Sequence, residues 1–389
     1  MSAPLHPGEW LGMLGGGQLG RMAVHAAQSL GYRVMVLEPD AHSPAGAAAD
    51  EHLQAPYDDA DALTQLAARC AAISTEFENV PAQVLERLGA DRPVAPAAPA
   101  VAVCQDRAAE KAHFAKAGVP CAPHALLQSA ADCAAVDVGL LPGILKTARM
   151  GYDGKGQRRV KNAAELAAAF AELGGVPCVL EQMLPLAAEL SVIVARGRDG
   201  QMVTLPVQRN WHVGGILATT AVPASGIAPE LQAEALRRAQ ALAEAFAYVG
   251  VLCVEFFVLD DGRLLANEMA PRPHNSGHYS IDACSHSQFE LQVRAMAGLP
   301  LPAPRLHSPC FMLNLLGDLW FDAAGQQREP DWAAVLQLSG AHLHLYGKAE
   351  PRRARKMGHL TIACATEAQA REQALAATRI LGLPTEGLV

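Results

Sequence analysis

The chain lacks the features that would assign it to several broad classes of protein. No C-x-x-C pair occurs among its nine cysteines, which excludes a zinc ribbon or a thioredoxin-like motif and suits scattered thiols in a reducing compartment. No run of about 18 apolar residues is present, and the N-terminus has no charged segment leading into an apolar one, so a cytoplasmic chain without a membrane span is expected. Positive charge is short: 31 Lys and Arg face 39 Asp and Glu, and the net charge of −8 argues against general affinity for nucleic acid or anionic membrane. Any basic patch must therefore be local. Internal repeats are absent too, while 389 residues allow two or three domains with real cores.

What is present is most informative at 251–269, where two apolar strands flank Asp261-Gly262. That dipeptide suits a two-residue type I′ turn, and the resulting register sets Glu255 opposite Glu268. Like charges directly opposite on a sheet repel, and the same-face neighbours Cys253, Phe257, Leu264 and Ala266 are apolar. A divalent cation resolves the conflict. Two carboxylates and the adjacent Asn267 offer only oxygen, which favours Mg²⁺ over Zn²⁺, and Mg²⁺ is usually shared with nucleotide phosphates, which points to ATP. A wet sheet face, or a register shifted by one residue, is the alternative.

Residues 9–40 read as strand, glycine turn, helix and strand, with the helix over 21–30 and Gly31 closing it. Gly15, Gly17 and Gly20 satisfy G-x-G-x-x-G, and Glu38 follows at the end of the next strand, so a nicotinamide- or flavin-dependent dehydrogenase is one reading. A turn whose amides approach a different phosphate is another. Residues 91–102, rich in Pro and Ala, read as a linker, after which Asp106 caps a helix carrying Arg107 and Lys111. Strands are expected at 143–146, 178–182 and 190–195, with helices at 163–173 and 230–248. Shorter β-like runs at 342–346 and 359–363 suggest a small terminal β-rich domain. Between Lys146 and the next helix lies Gly151-Tyr152-Asp153-Gly154-Lys155-Gly156-Gln157, a loop whose amides and lysines suit phosphates although it is not a Walker loop.

In this order, followed by Glu181-Gln182-Met183-Leu184, Glu189, His212, Glu255 and Asn267-Glu268, the set resembles the ATP-grasp superfamily. Within it the chain is most similar to the N5-carboxyaminoimidazole ribonucleotide synthetases. The likeness runs through nearly the whole chain, in Gly15-Gly16-Gly17-Gln18-Leu19-Gly20-Arg21-Met22, Thr75-Glu76-Phe77-Glu78-Asn79-Val80, Pro271-Arg272-Pro273-His274-Asn275-Ser276-Gly277-His278 and Arg355-Lys356-Met357-Gly358-His359.

The resemblance implies a mixed α/β and α+β, ATP-grasp architecture. Its parts would be an extension at 1–9 without structure, a Rossmann-like pre-ATP-grasp βαβ domain at 10–104, an ATP-grasp domain at 105–298 with a small lid at about 120–185, and a small β-rich domain at 299–389. It implies ATP-dependent carboxylation of 5-aminoimidazole ribonucleotide by bicarbonate, through carboxyphosphate, with Mg²⁺ at Glu255 and Glu268 and without biotin. Arg107, Lys146 and the loop from Gly151 to Gln157 would meet the phosphates of ATP. The segment from Glu181 through Gln182 and Met183 to Leu184 would read adenine, Glu189 would bind ribose, and His212, Asn267 and Glu268 would complete that pocket. Arg272, Lys146 and Asp153 would be catalytic. The ribonucleotide would meet Gln18, Leu19, Glu76, Tyr152, Asp153, Arg272, His274 and Asn275, with Lys348 and Arg355 on its 5′-phosphate. These two belong to a basic run at 346–360, where Lys348, Arg352, Arg353, Arg355 and Lys356 face only Glu350. A homodimer with small-molecule substrates, and no nucleic-acid or membrane partner, is implied. A sister ligase such as the formate-dependent glycinamide ribonucleotide transformylase would keep the ATP residues and change the acceptor, although that family typically has an acid in place of Gln18. Biotin carboxylase fits less well, because the chain holds no biotinyl Met-Lys-Met segment, and a nucleotide sensor without turnover is a further alternative.

Overall fold

The structure, a computed structural model, describes residues 3–151 and 156–389. Its first sheet is parallel, with β1 (Trp10–Leu14), β2 (Arg33–Leu37), β3 (Glu51–Leu53) and β4 (Cys70–Thr75) in the order β3-β2-β1-β4. Its strands alternate between two covered faces. Met13, Val34 and Val36 pack with Leu19, Met22 and Val24 of the helix Gln18–Ser29, whereas Leu14, Met35 and Leu37 pack with Leu63, Leu66 and Leu85. Phe289, Val293 and Met296 of the helix Gln288–Ala297 join the first of these cores and thereby fasten this sheet to the rest of the chain.

A second, antiparallel sheet contains β5 (His124–Leu127), β6 (Gly143–Thr147), β7 (Gln157–Val160) and β8 (Cys178–Gln182), ordered β5-β8-β6-β7. The helix Ala163–Glu172 lays Leu166, Ala169 and Phe170 on it, after Asn162 caps the helix through the Glu165 amide at 2.9 Å.

The third sheet comprises β9 (Leu186–Arg196), β10 (Met202–Thr204), β11 (Gln208–Val213), β12 (Ile216–Val222), β13 (Gly250–Leu259), β14 (Leu264–Ala270), β15 (Cys310–Leu316), β16 (Ala341–Leu345) and β17 (Lys356–Ala363). The order is β14-β13-β9-β11-β12-β15-β17-β16, with β10 on β9. The strands of the C-terminal region thus continue the central sheet. Thr219 of β12 faces Leu313 of β15, so the edge that β12 would otherwise present is paired.

Three expectations change. Residues 3–9 are held in place rather than free: the Leu5 amide donates to Ala297 O, the Gly8 amide to Gly31 O and the Tyr32 hydroxyl to Leu5 O. Leu5 packs against the core that joins the first sheet to the helix Gln288–Ala297, and this burial outweighs the proline content of the segment. The presumed linker contains a bridge from Ile73 to Val94 and the helix Ala98–Cys104, whose second residue, Pro99, suits a first helical turn. The first helix also starts at Gln18, three residues early.

Candidate active site

The hairpin of β13 and β14 brings the two acids together by a different route from the one expected. Its connection has three residues, not two: the Leu259 amide donates to Arg263 O and the Gly262 amide to Leu259 O, both at 2.9 Å. Gly262 alone in the turn takes positive φ, at 83°. The longer turn sets Val258 opposite Leu264 and Phe256 opposite Ala266, which continued inward would give Glu255 Asn267 as its partner. A bulge between Val254 and Phe256 then restores the expected pairing, so that Val254 meets Met269. Asn267 and Glu268 both fall against Glu255.

The consequence is an electrostatic conflict at the mouth of a cleft. Burial, reinforced by the Glu268 carboxylate, pushes Glu255 up to about 7. Arg107 Nη1 lies 3.1 Å from Glu268 Oε2, and His274 Nε2 lies 3.3 Å from Glu255 Oε1. Burial and the nearby Arg272 hold His274 well below the usual imidazole range, so this contact is made by a neutral ring. Asn267 Oδ1 is buried without a hydrogen-bond partner. Two carboxylates and an orphaned amide oxygen form a donor set that fits a hard divalent cation.

Behind the acids, the helix Arg107–Lys116 supplies three cationic or acidic groups from one face. Its start is fixed by Asp106, whose Oδ1 accepts from the amides of Ala108 and Ala109 at 3.0 and 3.2 Å. Arg107 also donates to Gly151 O at 3.2 Å. Lys111 Nζ reaches Glu181 Oε1 at 2.9 Å, and Lys146 Nζ reaches Glu181 Oε2 at 2.6 Å. Glu181 therefore anchors both lysines. The amides of Gln182 and Met183, expected at an adenine edge, donate to Pro123 O and Pro142 O. Further out, His212 Nδ1 lies 3.1 Å from Glu189 Oε2. Gly156 accepts from the Thr147 amide and Gln157 pairs with Lys146 across β6 and β7, while Tyr152, Asp153, Gly154 and Lys155 lie outside the described residues.

The opposite wall comes from the first sheet. Gln18, Leu19 and Glu76 face Arg107, Glu255, Glu268, Arg272, His274 and Asn275 across a cleft of about 660 Å³. Arg272 is gripped at Nε and Nη2 by the two oxygens of Glu78, the latter at 3.0 Å. Asn275 is buried with neither side-chain polar atom hydrogen-bonded. Lys356, not singled out for this role from the sequence, lines the cleft; Lys348 instead donates to Lys356 O at 2.7 Å and Arg355 to Glu350 O at 2.8 Å. Strand parity alone would have misled here: Leu360 and Ile362, of the same parity as Lys356, share the core with Met357, and an irregularity between Leu315 and Leu316 shifts the register at Met357.

Comparison with known proteins accounts for all three regions. Residues 9–105 match the ribonucleotide synthetase preATP-grasp domain, 112–289 the ATP-grasp domain, and 310–373 the phosphoribosylaminoimidazole carboxylase C-terminal domain. The N5-carboxyaminoimidazole ribonucleotide synthase of Brucella melitensis is 45% identical over 361 residues, covering 92% of this chain and 97% of the relative. The chain belongs to the N5-carboxyaminoimidazole ribonucleotide synthetase family. The Bacillus subtilis synthase is 40% identical, with 92% of each chain covered. Among solved structures, an ADP complex of an N5-carboxyaminoimidazole ribonucleotide synthetase superposes with a TM-score of 0.89 at 38% identity, covering 98% of both chains. The Aspergillus clavatus synthase, solved with ADP and 5-aminoimidazole ribonucleotide, gives 0.87 at 31% identity, covering 96% of this chain and 99% of that one.

An N5-carboxyaminoimidazole ribonucleotide synthetase is an ATP-grasp ligase, and the glycine turn shows why the dehydrogenase reading fails. Gly16 N–H donates to Glu38 Oε2 at 2.8 Å, while Gly17 and Gly20 donate to the two oxygens of Glu76 at 2.5 and 2.8 Å. These amides are already bound to carboxylates. A Cβ on Gly17 would stand 2.4 Å from Glu76 Oε1, so the glycine is needed for an internal carboxylate rather than a dinucleotide pyrophosphate. The same bond explains the early helix start, since Glu76 caps it from a distant strand end. Gln18 and Leu19, the first two residues of the helix, line the cleft.

Glu181 makes a pH prediction for this synthetase. Burial would raise its carboxyl, but Lys146 and Lys111 outweigh that effect and hold it at about 2. A depressed acid contributes stability above its unfolded value near 4.5, and that contribution is lost as pH falls from there towards 2. The shift corresponds to about 3 kcal/mol. Acid titration followed by circular dichroism should show Glu181→Gln flattening the stability profile over this window; an unchanged slope would contradict the assignment.

Proposed function

We propose that the chain carboxylates 5-aminoimidazole ribonucleotide with bicarbonate and ATP, giving N5-carboxyaminoimidazole ribonucleotide, ADP and phosphate. The observation that supports this most strongly is the convergence of Glu255, Glu268 and Arg107 with Arg272 and Asn275 across one cleft. Arg107 and Lys146 bind the phosphates of ATP, and Lys146 is kept in position by Glu181. A divalent cation held by Glu255, Glu268 and Asn267 Oδ1 would neutralise phosphate charge. Bicarbonate oxygen attacks the γ-phosphorus, the bond to the ADP oxygen breaks, and carboxyphosphate results. Arg272, oriented by Glu78, supplies fixed positive charge to the bicarbonate. The exocyclic amine of the ribonucleotide then takes up the carboxyl carbon, releasing phosphate and a proton. Asn275 offers a donor and an acceptor for the imidazole, both without protein partners.

The test is release of ADP, measured with bicarbonate and 5-aminoimidazole ribonucleotide omitted in turn. Turnover that depends on both is expected, and indifference to the ribonucleotide would defeat the acceptor assignment. For the 5′-phosphate, Lys356 is proposed alongside the Gln18 and Leu19 amides, ahead of Lys348 and Arg355. Lys356→Ala should raise KM for the ribonucleotide about tenfold or more, in keeping with loss of a charged hydrogen bond, with a smaller change in Arg355→Ala. The reverse order would return phosphate binding to Lys348 and Arg355. A cytoplasmic homodimer completes the reading; sedimentation velocity would test the dimer.

A further inference from the structure

A β-bulge takes backbone groups out of the ladder, and inside a protein those groups need new partners. At Asn267–Glu268 the replacements come from one helix. Lys111 Nζ donates to Asn267 O at 2.9 Å, and Glu110 Oε1 accepts from the Met269 amide at 2.6 Å. Both side chains belong to residues only 3% exposed. Arg107, one turn earlier on the same helix face, holds the Glu268 carboxylate itself. The helix is fixed at its start by the Asp106 cap and by the Arg107 amide, which donates to Ala148 O at 2.9 Å.

We infer that Lys111 and Glu110 are positioning residues that hold the β14 bulge, and through it keep Glu268 in register with Glu255 for a divalent cation. The inference rests on the paired-acid reading of the metal site. It assigns Lys111 a task beyond neutralising Glu181: its three N–H donors serve the bulge carbonyl and the carboxylate at once, and an apolar side chain can serve neither. Without the bulge, the three-residue turn would carry its register inward and leave Glu255 facing Asn267. Glu268 would then turn to the other face of the sheet.

The test is Mn²⁺ binding to the ADP complex of the full chain by electron paramagnetic resonance, beside ADP binding without metal by calorimetry. For Lys111→Met, Mn²⁺ affinity should fall at least about tenfold, the loss of one buried charged hydrogen bond, while metal-free ADP affinity changes less. Amide exchange at residues 267–269 should rise in the same variant. If Mn²⁺ affinity stays at the parent value while Glu268→Gln loses it, Lys111 does not position the acid. If ADP affinity falls and Mn²⁺ affinity does not, Lys111 serves Glu181 alone. If neither Lys111→Met nor Glu268→Gln alters Mn²⁺ binding, the paired-acid site is itself wrong and the inference falls with it. Should Lys111→Met fail to fold, Glu110→Gln and Glu110→Leu ask the same question. Glutamine still offers an oxygen to the Met269 amide and should retain Mn²⁺ affinity, whereas leucine should lose it; equal affinities in the two would overturn the inference.

Discussion

Glu268→Gln is expected to lower kcat by about a thousandfold, because a bound cation contributes several kcal/mol of charge stabilisation to phosphoryl transfer and each 1.4 kcal/mol is tenfold in rate. The substitution keeps size and hydrogen-bonding capacity, and removes only the charge opposed to Glu255. In the metal-free protein it should raise the melting temperature, since burial and Glu268 together make ionised Glu255 costly. A loss of turnover joined to a gain in metal-free stability is the signature of an acid retained for a ligand. The measurements are steady-state ADP release and calorimetric unfolding with and without Mg²⁺. Near-normal turnover would remove the metal role from this position, and lower metal-free stability would show that Arg107, 3.1 Å away, is the partner for which the acid is kept.

Arg272→Ala should have an effect of similar size with the opposite signature. The guanidinium is mostly buried and forked onto Glu78, and removing one partner of such a pair strands the other; a destabilisation of about 3 kcal/mol is expected. ADP release dependent on bicarbonate should fall by a hundredfold or more, on the order of losing a preorganised transition-state donor. Arg272→Lys preserves charge but not the two-pronged grip, so it should recover more stability than activity. The informative comparison is Glu78→Gln, which leaves Arg272 in place with its orientation loosened. If Glu78→Gln retains full bicarbonate-dependent turnover, orientation by Glu78 is not part of the reaction. If Arg272→Ala retains it, the arginine belongs to the scaffold.

Much of this site was legible because motifs report chemistry that is local in sequence. Lys146 at a strand end, Asp106 as a cap and the apolar alternation of β13 and β14 each follow from neighbouring residues. That Glu255 and Glu268 come near one another was also foreseen, although by an argument whose turn was wrong by one residue and whose one-to-one pairing is replaced by a bulge. The bulge moved the register back by one, and nothing in the strand itself announced it. Its partners, Lys111 and Glu110, lie more than 150 positions away. The role of Glu76 was hidden for the same reason: a carboxylate at the end of the neighbouring strand β4, 59 residues along from Gly17, occupies amides that sequence spacing offered to a dinucleotide.

Residue types, their order and their period determined that this chain has a parallel opening unit, a nucleotide-directed hairpin of oxygen ligands, and the motifs of its ligase family. Tertiary structure alone decided which amides of the glycine turn were already bound, which lysine of the basic run reached the cleft, and how the C-terminal strands extended the central sheet. The division has one physical cause. Periodicity and capping act over a few residues, whereas buried hydrogen bonds and ion pairs are completed by whichever groups folding brings within about 3 Å, and sequence separation places no limit on those.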